Sequence, residues 1–135
     1  MLNEGAVAQN TEIFNGILSN NAVANTITVR HNGFLMNHLD RVVQNVTVEE
    51  GGHVGNPGGT VLSLVMTGGT FHNLFDVAGA AADYGTVGAG ADIKGTAWMY
   101  NSMGGQMLGT VNVSENAILE HANNRHRTDR IGCWM

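Results

Sequence analysis

Residues 17–33 read ILSNNAVANTITVRHNG and residues 34–52 read FLMNHLDRVVQNVTVEEGG. Both carry a Val-, Ile- and Thr-rich stretch and both close on glycine. Cutting the chain after Gly16, Gly33, Gly52, Gly69, Gly88 and Gly105 extends the pattern, because the pieces then alternate between 17 and 19 residues without a gap. The later short pieces are HVGNPGGTVLSLVMTGG (53–69) and AGADIKGTAWMYNSMGG (89–105). The later long pieces are TFHNLFDVAGAAADYGTVG (70–88) and QMLGTVNVSENAILEHANN (106–124). A fixed period near 20 residues is the mark of a solenoid, in which no single repeat buries its own apolar face.

Within a piece the pattern is that of strands. Ala22 to Val29 and Val42 to Val48 alternate apolar with polar residues and are rich in Val, Ile and Thr, as half-buried strands are. The bounding pairs Asn32-Gly33, Gly51-Gly52, Gly68-Gly69 and Gly104-Gly105 are expected to supply the positive φ angles of tight corners, and Gly16, Gly33, Gly52, Gly69, Gly88 and Gly105 to be structural turn glycines. The implied fold is all-β, a single parallel β-solenoid of about six to seven coils alternating 17 and 19 residues. Repeats occupy 1–124, with doublets at 17–52, 53–88 and 89–124, and 125–135 form a C-terminal tail or cap. The expected inward side chains are Val23, Ile27, Val29, Val46, Val48, Val61, Leu64, Phe71, Leu74, Val77, Trp98, Val111, Val113 and Ile118. The strand spacing also fits an antiparallel β-sandwich, but the regular 17/19 alternation favours the solenoid. Ala117 to Arg127 is the best helical candidate, with Ile118, Leu119 and Ala122 on one face.

Composition narrows the function classes. The chain has 135 residues, a formal net charge of −5, 13% charged residues, 19 glycines and one proline. That size suits one domain, and the acidic balance argues against nucleic acid, which needs a basic surface. Cys133 is the one cysteine, so no internal disulfide forms. The amino terminus lacks the charged start and apolar run of a signal peptide, and no stretch reaches the ~20 apolar residues of a membrane helix. No membrane insertion is expected.

Chemistry-bearing residues form no recognised constellation. Asp40 and Asp76 lie on equivalent positions of two doublets, roughly the carboxylate separation of inverting glycosidases, but Asn112 holds that position in the third doublet, as a repeated turn position would. The six histidines fall at different repeat phases, and His121, His126 and Cys133 match no zinc spacing. Gly85 to Ala91 lacks the Gly-Lys-Ser/Thr ending of a phosphate-binding loop. Calcium-binding nonapeptide repeats are absent. No catalytic residue, metal or cofactor is therefore assigned, and the chain is expected not to be an enzyme.

The units Asn25-Thr26-Ile27-Thr28-Val29-Arg30-His31-Asn32-Gly33 and Asn45-Val46-Thr47-Val48-Glu49-Glu50-Gly51-Gly52 resemble the strand-loop-strand passenger repeat of AIDA-type self-associating autotransporter adhesins. The resemblance covers 22–69 closely and 70–116 loosely. It implies a right-handed β-helix outside the cell or on a bacterial surface, adhering or aggregating through its side walls. The partner would be another copy of the chain, as homo-oligomer or filament, or a cell-surface glycan. Side-wall pairing would use polar stacks of Asn25 and Asn45 or Glu49 and Glu50. End-on pairing would use open coil ends together with Arg125, Arg127, Arg130 and Trp134, since an uncapped coil leaves backbone groups unpaired. The alternative from another class is a carbohydrate-binding or carbohydrate-cleaving β-helix, such as part of a phage tail spike.

Overall fold

The tetrapeptides Ile17-Leu18-Ser19-Asn20, Phe34-Leu35-Met36-Asn37, Thr70-Phe71-His72-Asn73 and Trp98-Met99-Tyr100-Asn101 all bury their second and fourth residues. That period of two is a strand's, with one face on a core. The structure, a computed structural model, describes residues 2–3, 7–38, 40–73, 85–101, 105–122 and 128–130, and is an all-β parallel solenoid.

Strands are numbered in chain order. The first wall stacks β1 (Leu2–Asn3), β3 (Ile17–Asn20), β5 (Phe34–Asn37), β7 (His53–Gly55), β9 (Thr70–Asn73), β12 (Trp98–Asn101) and β15 (Ile118–Ala122). All these neighbours are parallel, and β16 (Thr128–Arg130) then runs antiparallel along β15. The second wall stacks β2 (Val7–Phe14), β4 (Val23–Arg30), β6 (Val42–Val48) and β8 (Thr60–Met66). Two broken levels follow, β10 (Thr86–Val87) with β11 (Ala91–Ile93) and β13 (Gln106–Met107) with β14 (Val111–Val113). This wall bends: Asn25 and Thr26 both face outward between buried Ala24 and Ile27, and the later strands break at the same place.

Between the walls lie Leu18, Leu35, Val54, Phe71 and Met99 from one side and Ile27, Val46, Leu64, Val29, Val48 and Met66 from the other. Each is essentially without solvent contact. Burying a side chain of this kind contributes roughly 1.5–3 kcal/mol.

One polar column runs through this core. Asn20, Asn37, Asn56, Asn73 and Asn101 end successive first-wall rungs and are all buried. Each of the first four donates from Nδ2 to the next Oδ1, at 2.9, 2.9, 2.9 and 2.8 Å in turn. The same amides reach the carbonyls of the adjoining turns: Asn20 to Ala22, Asn37 to Arg41, Asn56 to Gly59 and Asn101 to Gly105. The amides therefore satisfy each other and close the corner.

Several expectations need correction. The Asn-to-Asn steps are 17, 19, 17 and then 28 residues. The regular alternation thus holds as far as Gly69 and fails beyond it, and the doublet boundaries at 88 and 89 fall within one long coil. Thr70 pairs with Trp98 and Trp98 with Ile118, so the rungs begin one residue before the buried Met99 and Leu119. Trp98 and Ile118 consequently face outward instead of inward, Ile118 at 38% exposure. Val23 faces outward too, at 43%, because Ala24 takes the inward place. Val111 and Val113 pack on the core only in part. Leu74 and Val77 lie outside the described residues.

The helical candidate is overturned over 118–122, and 123–127 lie outside the described residues. Residues 118–122 form strand β15, whose backbone pairs with β12, Ile118 N–H donating to Ala97 O at 2.9 Å. A ready-made parallel edge outweighs the weak helical pattern of a short segment.

The corner glycines do different jobs. Asn15, Asn32 and Gly51 take the positive φ beside Gly16, Gly33 and Gly52, while Gly69 takes it itself at 72°. Gly52 is required by close approach, because a Cβ there would enter the Val29 carbonyl. Gly88 lies in the second wall's bend, with a Leu62 methyl 3.0 Å from where its Cβ would stand.

Two predictions follow from this packing. Asn56→Ala should lower the free energy of unfolding by about 2–4 kcal/mol, since it orphans buried ladder partners, whereas exposed Asn45→Ala should stay within about 0.5 kcal/mol. Urea denaturation of both variants checks this. Gly52→Ala should destabilise by about 1–3 kcal/mol through the clash. Gly16→Ala, whose new methyl would lie 3.8 Å from Phe14 O, should be neutral or stabilising by up to about 1 kcal/mol.

Candidate binding surface on the first wall

The parity that sends Leu18, Leu35 and Phe71 inward sends two columns outward. The first column runs Ile17, Phe34, His53, Thr70, Trp98 and Ile118. The second runs Ser19, Met36, Gly55, His72, Tyr100 and Glu120. Neither column contains lysine or arginine.

At one end of these columns three rings meet. His72 stands 5.7 Å from Trp98 at 73° and 5.9 Å from Tyr100 at 57°, and the Trp98 and Tyr100 centroids are 6.5 Å apart at 51°. No ring of the three lies flat on another. The Trp98 indole N–H donates to Glu120 Oε1 at 3.0 Å, which fixes the ring's orientation. One rung away, His53 Nδ1 and Thr70 Oγ1 are hydrogen-bonded at 2.7 Å. Further along, Ser19 Oγ and His38 Nε2 are 2.5 Å apart. Gly55 leaves a gap in its column, over which the Met36 thioether folds. The result is a half-buried shelf of mutually tilted aromatic, imidazole and thioether groups, edged by polar atoms. Burial pushes the His72 imidazole below its ordinary value, and repulsion from His53 adds to that.

A second feature lies at the corner leaving the other wall. Arg30 bridges Glu12 at 2.5 Å and Glu49 at 3.4 Å, tying three successive coils together. Its Nε is buried without a hydrogen-bond partner among the described residues. Phe14 and His31 stack at 4.6 Å and 8° beside it. With Glu50 and Thr67 they line an open groove of about 440 Å³.

The residues singled out from sequence are scattered by comparison. Asn25 lies at the bend and donates to Gln9 Oε1. Exposed Asn45 stacks on Thr26 and Ser63, so Asn25 and Asn45 occupy adjoining columns. Glu49 is engaged by Arg30, and Glu50 is exposed in the turn. Arg130 pairs through its backbone with Glu120 in β15. Arg125, Arg127 and Trp134 lie outside the described residues. Asp40 occupies an exposed turn at φ 63°, and Asp76 lies outside the described residues. Among the described residues no three His, Cys, Asp or Glu side chains cluster as a metal site would need.

Sequence reasoning missed the shelf because it sought histidines at equal repeat phase. His53 and His72 fall in different columns of adjacent rungs, which is why they sit side by side without a periodic signature. The available signal was the Asn-terminated tetrapeptide, whose first and third residues face out. Comparison of the chain with family models, with curated proteins and with solved structures returned no match.

The shifted imidazole sets a pH dependence. Above pH 6.5, the unfolded value, His72 is neutral in both states and its contribution to stability is complete. As the pH falls from there through the lower folded value, the unfolded chain takes up the proton first and stability declines. Between about pH 7 and about pH 5 the urea midpoint should fall further for the native chain than for His72→Gln. Equal slopes would show that this imidazole titrates alike in both states.

Proposed function

We propose that this chain is a structural, adhesive solenoid of the cell exterior or bacterial surface, acting by self-association or adhesion through its first wall, and not an enzyme. The observation that carries this reading is the shelf of Phe34, Met36, His53, His72, Trp98 and Tyr100 on one rigid sheet face. Monomeric proteins seldom leave so many large apolar groups together on a flat face, and such patches mark interaction sites. The resemblance to AIDA-type passengers agrees with it, since those are read as working through their side walls. Attachment by the coil ends is less well supported at the β15 end, where β16 lies antiparallel along β15 and leaves a three-residue strand as the edge. A short edge is a poorer template than a full rung, whereas β1 and β2 end their walls at the other end among the described residues.

Sedimentation velocity and retention on coated surfaces test the reading. Trp98→Ala and Tyr100→Ala, with far-ultraviolet dichroism unchanged, should each weaken association or retention by about tenfold, a typical loss for an aromatic anchor. An apolar shelf should also hold its binding as salt rises. Association abolished by salt yet indifferent to both substitutions would move the surface to the Arg30, Glu12 and Glu49 corner of the second wall, and the proposal would fail.

A further inference from the structure

We infer that the Trp98–Tyr100–His72 shelf is a stacking site for neutral oligosaccharide, its long axis following the rungs of the first wall. This inference rests on the proposal that the first wall is a binding surface, and adds the chemistry of what it binds. A pyranose presents a patch of C–H bonds on one face and a rim of hydroxyls around it. It therefore seeks a π face bordered by mixed donors and acceptors, as small-ligand sites combine apolar walls with a few placed polar groups.

The shelf offers that combination. Trp98 and Tyr100 project from the same strand two residues apart, and both are partly exposed. His72 adjoins both rings from the rung before. Around the rings stand the imidazole of His53, the hydroxyl of Thr70 bonded to it and the carboxylate of Glu120. The imidazole and the hydroxyl are each able to meet a sugar hydroxyl as donor or acceptor, while the Glu120 carboxylate is buried against the indole. Glu120 also pins the indole, so the principal stacking ring is held before any ligand arrives. Preorganisation of this kind reduces the ordering cost of binding.

Rung spacing adds a second argument. Parallel rungs recur at about 4.8 Å, close to the advance of one sugar along an extended chain. Consecutive sugars would then meet consecutive rungs: Trp98 and Tyr100, then Thr70 and His72, then His53 beside Gly55, whose place is filled by the Met36 thioether.

Charge selects the class. Along the rungs from His53 to Tyr100 neither outward column holds a lysine or arginine; beyond them β16 sets Arg130 in register with Glu120. On those rungs a sulfated or uronic-acid glycan, a phosphate or a nucleic acid would find no lysine or arginine. Burial, with repulsion from His53 added, disfavours protonation of His72. A neutral chain of glucose, mannose or N-acetylglucosamine units fits these constraints.

Isothermal titration with cello-, malto-, manno- and chito-hexaose, alongside a sulfated oligosaccharide, tests the inference on the full chain. A Trp134→Phe background leaves Trp98 as the one indole, so its fluorescence reports the shelf directly. At least one neutral hexaose should bind and shift that emission, the sulfated one should not, and Tyr100→Ala and His72→Gln should each weaken binding at least about tenfold. Tyr100→Ala and His72→Gln keep the test independent of whether Trp98→Ala folds. Failure of every neutral hexaose, preference for the sulfated probe, or binding indifferent to these substitutions would overturn it. If no hexaose binds while self-association still depends on Tyr100, the first wall remains a binding surface and the sugar assignment alone falls. If neither property depends on Tyr100 or His72, the surface itself is wrongly placed.

Discussion

A column of buried amides running through an apolar core is the constraint on which the rest of this molecule depends. Each asparagine has two N–H donors and one carbonyl oxygen. Asn37, Asn56 and Asn73 spend one donor on the next amide and reach a turn or neighbouring-strand carbonyl with the other. A slip of one residue in any first-wall strand would turn its asparagine outward and leave the amides on either side with unmet groups in a dry interior. Such an orphaned group costs about 1–3 kcal/mol, and two neighbours are orphaned at once. Apolar residues alone would tolerate a slip more readily, so the ladder specifies register as well as adding stability.

The same constraint explains why coil length is free. Steps of 17, 19 and 28 residues all return an asparagine to the column. What must be conserved in space is the arrival of the amide and the apolar residue two places before it. What happens between the walls need only close. Outward positions carry no such demand, which is why one column passes through Ile17, Phe34, His53, Thr70 and Trp98 while its inward neighbours stay Leu18, Leu35, Val54, Phe71 and Met99. Chemistry varies where packing does not dictate it.

This division also decides what could be read in advance. Ile27, Val29, Val46, Val48 and Leu64 were legible because alternation runs regularly on the far side of the bend, through Ile27–Val29, Val46–Val48 and Leu64–Met66. Val7 and Ala8 stand in register with Val23 and Ala24, so the first coil follows the same pattern. The ladder was not legible as such, because an asparagine next to a turn also serves as a turn former, and only three dimensions separate the two roles. Trp98 was read inward because size suggested burial, and because counting by fixed periods lost its phase in the long coil after Thr70. The shelf was hidden for the same reason. Its members come from rungs of unequal length and share no sequence period.

A rigid wall is suited to binding in a way that a loop is not. Every outward side chain here stands on a strand bonded on both sides, and its rotamer is limited by neighbours one rung away. His72 is held between Trp98 and Tyr100, and Trp98 is tied to Glu120. The entropy of ordering these groups has already been lost in folding, so an occupant meets a surface that changes little on contact. Such a surface gains strength by extension along the rungs, because each further coil adds another pair of outward positions at constant spacing. The second wall contrasts with it. Its outward positions run through Thr28, Thr47, Val65 and Asp92, with exposed Val23 and Leu62 beyond a bend, so the Trp98–Tyr100–His72 ring cluster belongs to the first wall.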